Sequence, residues 1–115
     1  MSAARKYEPE RGDVIWLEFT PQAGHEQAGH RPALVISPKT YNAKTGLAMV
    51  CPITSQVKGY PFEVALGGAS KIKGVVLTDQ LRSLDWRARK AQFVERSADS
   101  VLNEVVAKVL TLIET

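Results

Sequence analysis

Cysteine occurs once in these 115 residues, at Cys51, so no internal disulfide can form and no cysteine-rich metal site is available. Its neighbours Met49, Val50 and Ile53 are apolar, which predicts a buried thiol and suits a reducing cytoplasm. Long apolar runs are also missing. None approaches the ~20 residues of a membrane span, and Met1-Ser2-Ala3-Ala4-Arg5-Lys6 leads into a charged stretch rather than an apolar leader, so neither export nor membrane insertion is expected. A Gly-x-Ser-x-Gly nucleophile elbow is absent. The run Gly67-Gly68-Ala69-Ser70-Lys71 lacks the first glycine of a phosphate-binding P-loop, which argues against nucleotide hydrolysis. The two histidines, His25 and His30, are five residues apart, with Gly29 and Pro32 interrupting any helix; a zincin site needs a four-residue spacing on one helix. No metal or other cofactor is expected.

What is present describes one soluble globular domain spanning residues 1–115: 44% of residues are hydrophobic and 23% charged, too apolar for disorder and too short for a second module. Fifteen basic residues oppose twelve acidic ones, for a net charge of +3. The charge is unevenly spread. Residues 1–30 and 91–115 each carry −2, whereas residues 31–90 hold ten basic side chains against three acidic ones, or +7. A polyanionic partner fits this middle segment, although a plain solvated surface has the same composition.

Short runs rich in β-branched and aromatic residues recur at 14–19, 33–36, 47–51, 62–66, 75–78 and 92–95, and they predict strands. Turn formers separate them: Pro21 and Gly24, Asn42 and Gly46, Lys58-Gly59-Tyr60-Pro61, Gly67-Gly68 and Gly74. So many short strands in ninety residues point to a small barrel or sandwich. The last segment changes period. Leu102, Val105, Val106, Val109, Leu110 and Ile113 recur at three- and four-residue steps, an amphipathic helix whose apolar stripe packs on the strands. Ser97 is the expected N-cap, with Asp99 in the first turn.

Loops on rigid scaffolds hold most sites, and Gly24-His25-Glu26-Gln27-Ala28-Gly29-His30-Arg31-Pro32 puts two imidazoles, a carboxylate and a guanidinium just before a strand. Thr54-Ser55-Gln56, followed by Lys58, adds hydroxyls at another strand end. Such a set suits phosphodiester chemistry. An RNA 2′-hydroxyl attacks its own phosphorus without a metal, provided one group takes its proton, one protonates the leaving oxygen and one stabilises the phosphoryl charge. Arg31 suits the last role, Thr54 can donate to a phosphoryl oxygen, and Glu26 or His30 can move protons. An ion-paired surface arginine and a turn-capping threonine are the plain structural alternative.

These residues resemble the MazF/PemK family of bacterial toxin–antitoxin endoribonucleases. Gly12-Asp13-Val14-Ile15-Trp16, Glu26-Gln27-Ala28-Gly29-His30-Arg31-Pro32-Ala33 and Pro52-Ile53-Thr54-Ser55 carry the likeness. Lys58-Gly59-Tyr60-Pro61-Phe62-Glu63-Val64, Asp79-Gln80 and Trp86-Arg87-Ala88-Arg89 extend it over nearly the whole chain. The resemblance implies a mainly β fold, a small SH3-like barrel with a C-terminal amphipathic helix, and a homodimer. It further implies metal-independent cleavage of single-stranded RNA to a 2′,3′-cyclic phosphate and a 5′-hydroxyl. Catalysis falls on Arg31, Thr54 and Glu26. RNA contacts are expected from Phe19, Thr20, Gln22, His30, Ser55, Gln56, Lys58 and Gln80: Phe19 by stacking, Lys58 on a phosphate, and Ser55, Gln56 and Gln80 on base edges. The implied partner is a cognate antitoxin whose acidic, disordered C-terminal segment occupies the RNA groove.

Two other functions share the fold or the charge. A gyrase-poisoning toxin of this fold uses a tryptophan at its extreme C-terminus, whereas this chain ends Leu112-Ile113-Glu114-Thr115 and has its tryptophans at Trp16 and Trp86. A catalytically silent RNA-binding domain would keep the basic surface without bringing Arg31 and Thr54 together.

Overall fold

In the computed structural model, residues 6–19 and 29–114 are described. Seven strands and two helices follow in order: β1 (Asp13–Phe19), β2 (Gly29–Val35), α1 (Lys39–Thr45), β3 (Leu47–Thr54), β4 (Glu63–Ala65), β5 (Val75–Leu77), β6 (Arg82–Asp85), β7 (Gln92–Arg96) and α2 (Asp99–Ile113). A 3-10 turn, Thr78–Gln80, links β5 to β6. All pairings are antiparallel.

The mainly β fold with its C-terminal helix agrees with expectation, but the sheet is not a closed barrel. Its strands run β4-β5-β3-β2-β1-β7, with β6 on β3, so β4 and β7 end the path at opposite sides. β3 is the shared member. Its first half pairs with β6, from Leu47↔Asp85 to Val50↔Arg82, and its last two residues pair with β5, as Ile53↔Val76 and Thr54↔Val75.

At the middle of the central strands both faces are buried, because successive side chains alternate between two apolar layers, while Leu47 and Met49 at the start of β3 are exposed. Val14, Leu34, Cys51 and Ile53 pack with Val101, Val105 and Val109 of α2. Ile15, Leu17, Ala33, Val35 and Val50 form the other layer with Leu84 and Trp86. The helix uses only part of its predicted stripe. Steps of four place Val101, Val105 and Val109 inward, while Leu110 (47%) and Ile113 (64%) remain exposed.

Other expectations need correction. Ala98, not Ser97, occupies the N-cap of α2, without a side-chain cap bond; Ser97 Oγ is buried without a hydrogen-bond partner among the described residues. Asp99 does stand in the first turn. Asn42 lies within α1, and Gly46 ends it as a left-handed C-cap (φ 75°). Phe62 precedes β4 rather than starting it.

Two polar anchors tie the strands to their surroundings. Asp13, 3% exposed, accepts from the Tyr7 hydroxyl at 2.5 Å, the Glu10 N–H at 3.0 Å and Arg96 at 2.8 Å. Burial and the adjoining carboxylate push the Tyr7 phenol far above its ordinary range. Asn42 is fully buried. Its amide accepts from the Ser37 hydroxyl at 2.5 Å and donates to Pro9 O at 2.9 Å and Ser37 O at 3.0 Å, while its carbonyl accepts from Trp86 Nε1 at 2.9 Å. Removing the amide leaves several buried polar atoms without partners. Asn42→Ala is therefore expected to lower the unfolding free energy by about 2–4 kcal/mol, checked by urea denaturation against wild type.

Candidate active site

β2 and β3 keep one constant register through Ala33↔Pro52, Leu34↔Cys51 and Val35↔Val50. Two further steps along that register set Arg31 across from Thr54, yet the paired ladder has stopped. Proline explains where. Ile36 N–H donates to Met49 O at 2.8 Å, so residues 36, 34 and 32 direct their backbone groups toward β3, by strand alternation. Pro32 has no N–H to give there. On the other edge of β3, Pro52 lacks the N–H that would fall between the end of the β6 pairing and the start of the β5 pairing. The β2–β3 ladder ends at this point.

A cleft of about 620 Å³ opens there. Arg31, His30, Pro32 and Trp16 line it from β1 and β2, and Ile53, Thr54, Ser55 and Gln56 from β3 and the turn beyond. Lys71, Ile72 and Lys73 complete it from the β4–β5 loop. His30 and Arg31 are adjacent and point to opposite faces of the strand, so a cleft lined by both wraps the strand end.

The hydroxyl of Thr54 is oriented by its own turn: Oγ1 accepts the Gln56 N–H at 3.1 Å. Accepting uses a lone pair and keeps the hydroxyl hydrogen for donation. His30 stands directly opposite Glu18, with Nε2 3.9 Å from Oε2, and its ring lies 6.1 Å from that of Trp16. Arg31, Lys71 and Lys73 bring three positive charges to the cleft, and among the described residues that line it none is acidic.

An adjoining hollow of about 340 Å³ shares Thr54 and Gln56 and contains Lys58 and Gln80. Glu63 shapes it by accepting the Lys58 N–H at 3.3 Å and the Gly59 N–H at 2.9 Å. Thus Arg31, Thr54, His30, Ser55 and Gln56 meet in one cleft, and Lys58 and Gln80 in the next. Glu26, Thr20, Gln22 and the side chain of Phe19 lie outside the described residues. Trp16, Lys71, Ile72 and Lys73 were not anticipated. Two lysines flanked by Gly67 and Gly74 were the available signal, a charged pair presented on a glycine-bounded loop.

Cys51, as expected, is fully buried. Burial first, and the Asp79 charge second, push its thiol up to about 12, which makes it unsuitable as a nucleophile.

The sequence matches, over residues 10–113, the family described as PemK-like, MazF-like toxin of type II toxin-antitoxin system. The chain belongs to this toxin family. Endoribonuclease toxin MazF of Escherichia coli (strain K12) is 50% identical over 108 residues, 94% of this chain and 96% of the relative. Endoribonuclease PemK of Escherichia coli is 37% identical over 113 residues, 95% of this chain and 85% of the relative. A crystal structure of MazE-MazF from Deinococcus radiodurans aligns with a TM-score of 0.90 and 54% identity, covering 94% of this chain and 97% of the solved one. Among the described residues, no helix is long and apolar enough to cross a membrane.

Two expectations follow for this PemK/MazF-like chain. Pro32→Ala supplies the missing donor toward β3, and hydrogen exchange is expected to reveal a protected amide at residue 32 with the cleft mouth drawn in. Cys51 is expected to resist iodoacetamide at pH 8 in the native state, since a thiol near 12 leaves only about one in ten thousand molecules as thiolate; alkylation followed by mass spectrometry checks this, with the urea-unfolded chain as the reactive control.

Proposed function

We propose that this protein is an endoribonuclease toxin that cleaves single-stranded RNA, mRNA in particular, at short sequences and without a metal ion. The observation that carries the reading is the convergence of the Arg31 guanidinium and the Thr54 hydroxyl on one cationic cleft. Membership of a toxin family with relatives named endoribonucleases supports it.

In the proposed reaction the ribose 2′-oxygen attacks the adjoining phosphorus as its proton passes to a base, and the bond from phosphorus to the 5′-oxygen breaks. The products are a 2′,3′-cyclic phosphate and a 5′-hydroxyl whose oxygen takes a proton as it leaves. Arg31 offers its planar fork to the phosphoryl oxygens where charge develops, and Thr54 donates a hydrogen bond to the same group. Glu26 is the candidate for proton transfer, and His30, with Nε2 3.9 Å from Glu18 Oε2, is an RNA contact. Ser55, Gln56 and Gln80 read base edges, Lys58 meets a phosphate, and Phe19, Thr20 and Gln22 flank the substrate.

The proposed partner in the cytoplasm is a cognate antitoxin with an acidic, disordered C-terminal segment, which the +7 middle of the chain complements. The functional unit is a homodimer; the apolar surface left open at Leu110, Leu112 and Ile113 supports a second copy.

Incubating the protein with a long transcript in EDTA tests the reading: discrete fragments with cyclic-phosphate ends are expected, and intact RNA or cleavage only with added metal would sink it. Arg31→Ala is expected to reduce cleavage by at least about a thousandfold while keeping the wild-type circular dichroism spectrum.

A further inference from the structure

Lys71 and Lys73 enter the cleft from the edge of β3 that faces β5, away from Arg31 on β2. Thr54 therefore stands between cations supplied from both sides of its strand. The loop that supplies them is held firmly. Glu95 on β7 accepts the Ser70 hydroxyl at 2.5 Å and the Lys71 N–H at 3.0 Å, and Ser70 Oγ accepts the Ile72 N–H at 3.1 Å. At its base, Leu66 N–H donates to Gly74 O at 3.2 Å. Gly74 then runs hard against the catalytic strand: a Cβ there would fall 2.1 Å from Thr54 O, and its φ of +131° disfavours any side chain. Loop and Thr54 are thus one rigid piece, although both lysine side chains are exposed.

We propose that this loop is a second phosphate-holding wall of the cleft, in which Lys71 and Lys73 hold backbone phosphates beside the scissile one and Glu95 is the positioning residue that keeps them in place. The proposal rests on the endoribonuclease reading above. A lysine ammonium is a point charge without the planar fork that selects a base edge, so this wall adds affinity and alignment rather than sequence choice. RNA is favoured over an acidic peptide because the same cleft presents the neighbouring rings of Trp16 and His30, π-faces on which a base stacks.

The test measures binding of a non-cleavable 2′-O-methyl oligonucleotide across a salt series, together with steady-state cleavage of the unmodified RNA. Lys71→Ala and Lys73→Ala are each expected to weaken binding several-fold for all sequences alike and to lower the salt slope by about 0.7, the double variant by about 1.4. Lys39→Ala, on α1 outside the cleft, is expected to leave the slope unchanged. Glu95→Ala is expected to raise KM roughly fivefold with kcat nearly unchanged, and Glu95→Gln to recover most of the loss because its amide oxygen still accepts one of the two bonds.

If wild type binds and cleaves while the double variant keeps its slope and KM, the wall is overturned and the endoribonuclease reading stands. A double variant that loses a glutamate-rich peptide but retains the oligonucleotide overturns it in favour of a protein ligand. Wild type that neither binds nor cleaves RNA removes the endoribonuclease reading and this proposal with it.

Discussion

A proline at a strand position that should donate toward its neighbour ends the ladder there, and the site depends on this happening at one pleat on both edges of β3. Pro32 withholds a bond on the side of β2, and Pro52 withholds one where β6 gives way to β5. Thr54 is consequently carried past its last partner on β2 while still held by Val75 on the other side. Arg31 stays in register across from it, at a position whose own backbone groups face β1. The missing donor at Pro32 thus ends the β2–β3 ladder beside the cleft, while β3 continues onto β5.

Holding such an opening in shape requires rigid surroundings, and these come from polar groups as much as from the apolar layers. Asn42 joins the chain before β1, the end of β2, α1 and the turn after β6 in one buried cluster. Asp13 joins Tyr7, Glu10 and Arg96 at the start of β1. Glu95 does similar work at the rim, and Glu63 fixes the turn beside Lys58. Each is a carboxylate or amide whose acceptors and donors are used within the fold, so the cleft is pre-organised before any ligand arrives.

Much of the fold was legible because apolar β-branched runs and a clear helical period coincide with real elements, and the Arg31 and Thr54 motifs lie at strand ends that the register brings together. Other elements carried no such signal. β6 reads Arg-Ser-Leu-Asp, with one buried residue, Leu84, and is a strand only because the edge of β3 accepts it. α1 has one buried residue, Asn42, so it has no apolar face for periodicity to find. Ser97 looks like a cap, yet its hydroxyl is turned into the protein and Ala98 takes the position. Lys71 and Lys73 lie far from Arg31 in sequence, and only the pairing of β5 with β3 makes them neighbours of the site.

In a sheet with one wet face, sliding a strand by one residue puts its apolar set into water, and that penalty alone selects the register. Here both faces are covered only at the middle of the sheet, around Val14, Ile15, Leu34, Val35, Val50 and Cys51, whereas Leu47 and Met49 face solvent at the start of β3, so a slip at the middle would still bury apolar side chains. There, groups that tolerate no substitute partner add to the selection between alignments: the two imino acids and the buried amide of Asn42. In this protein, register specificity, and with it the meeting of Arg31 and Thr54, is an error-checking task shared between the alternation at the start of β3 and a few polar and backbone-deficient residues.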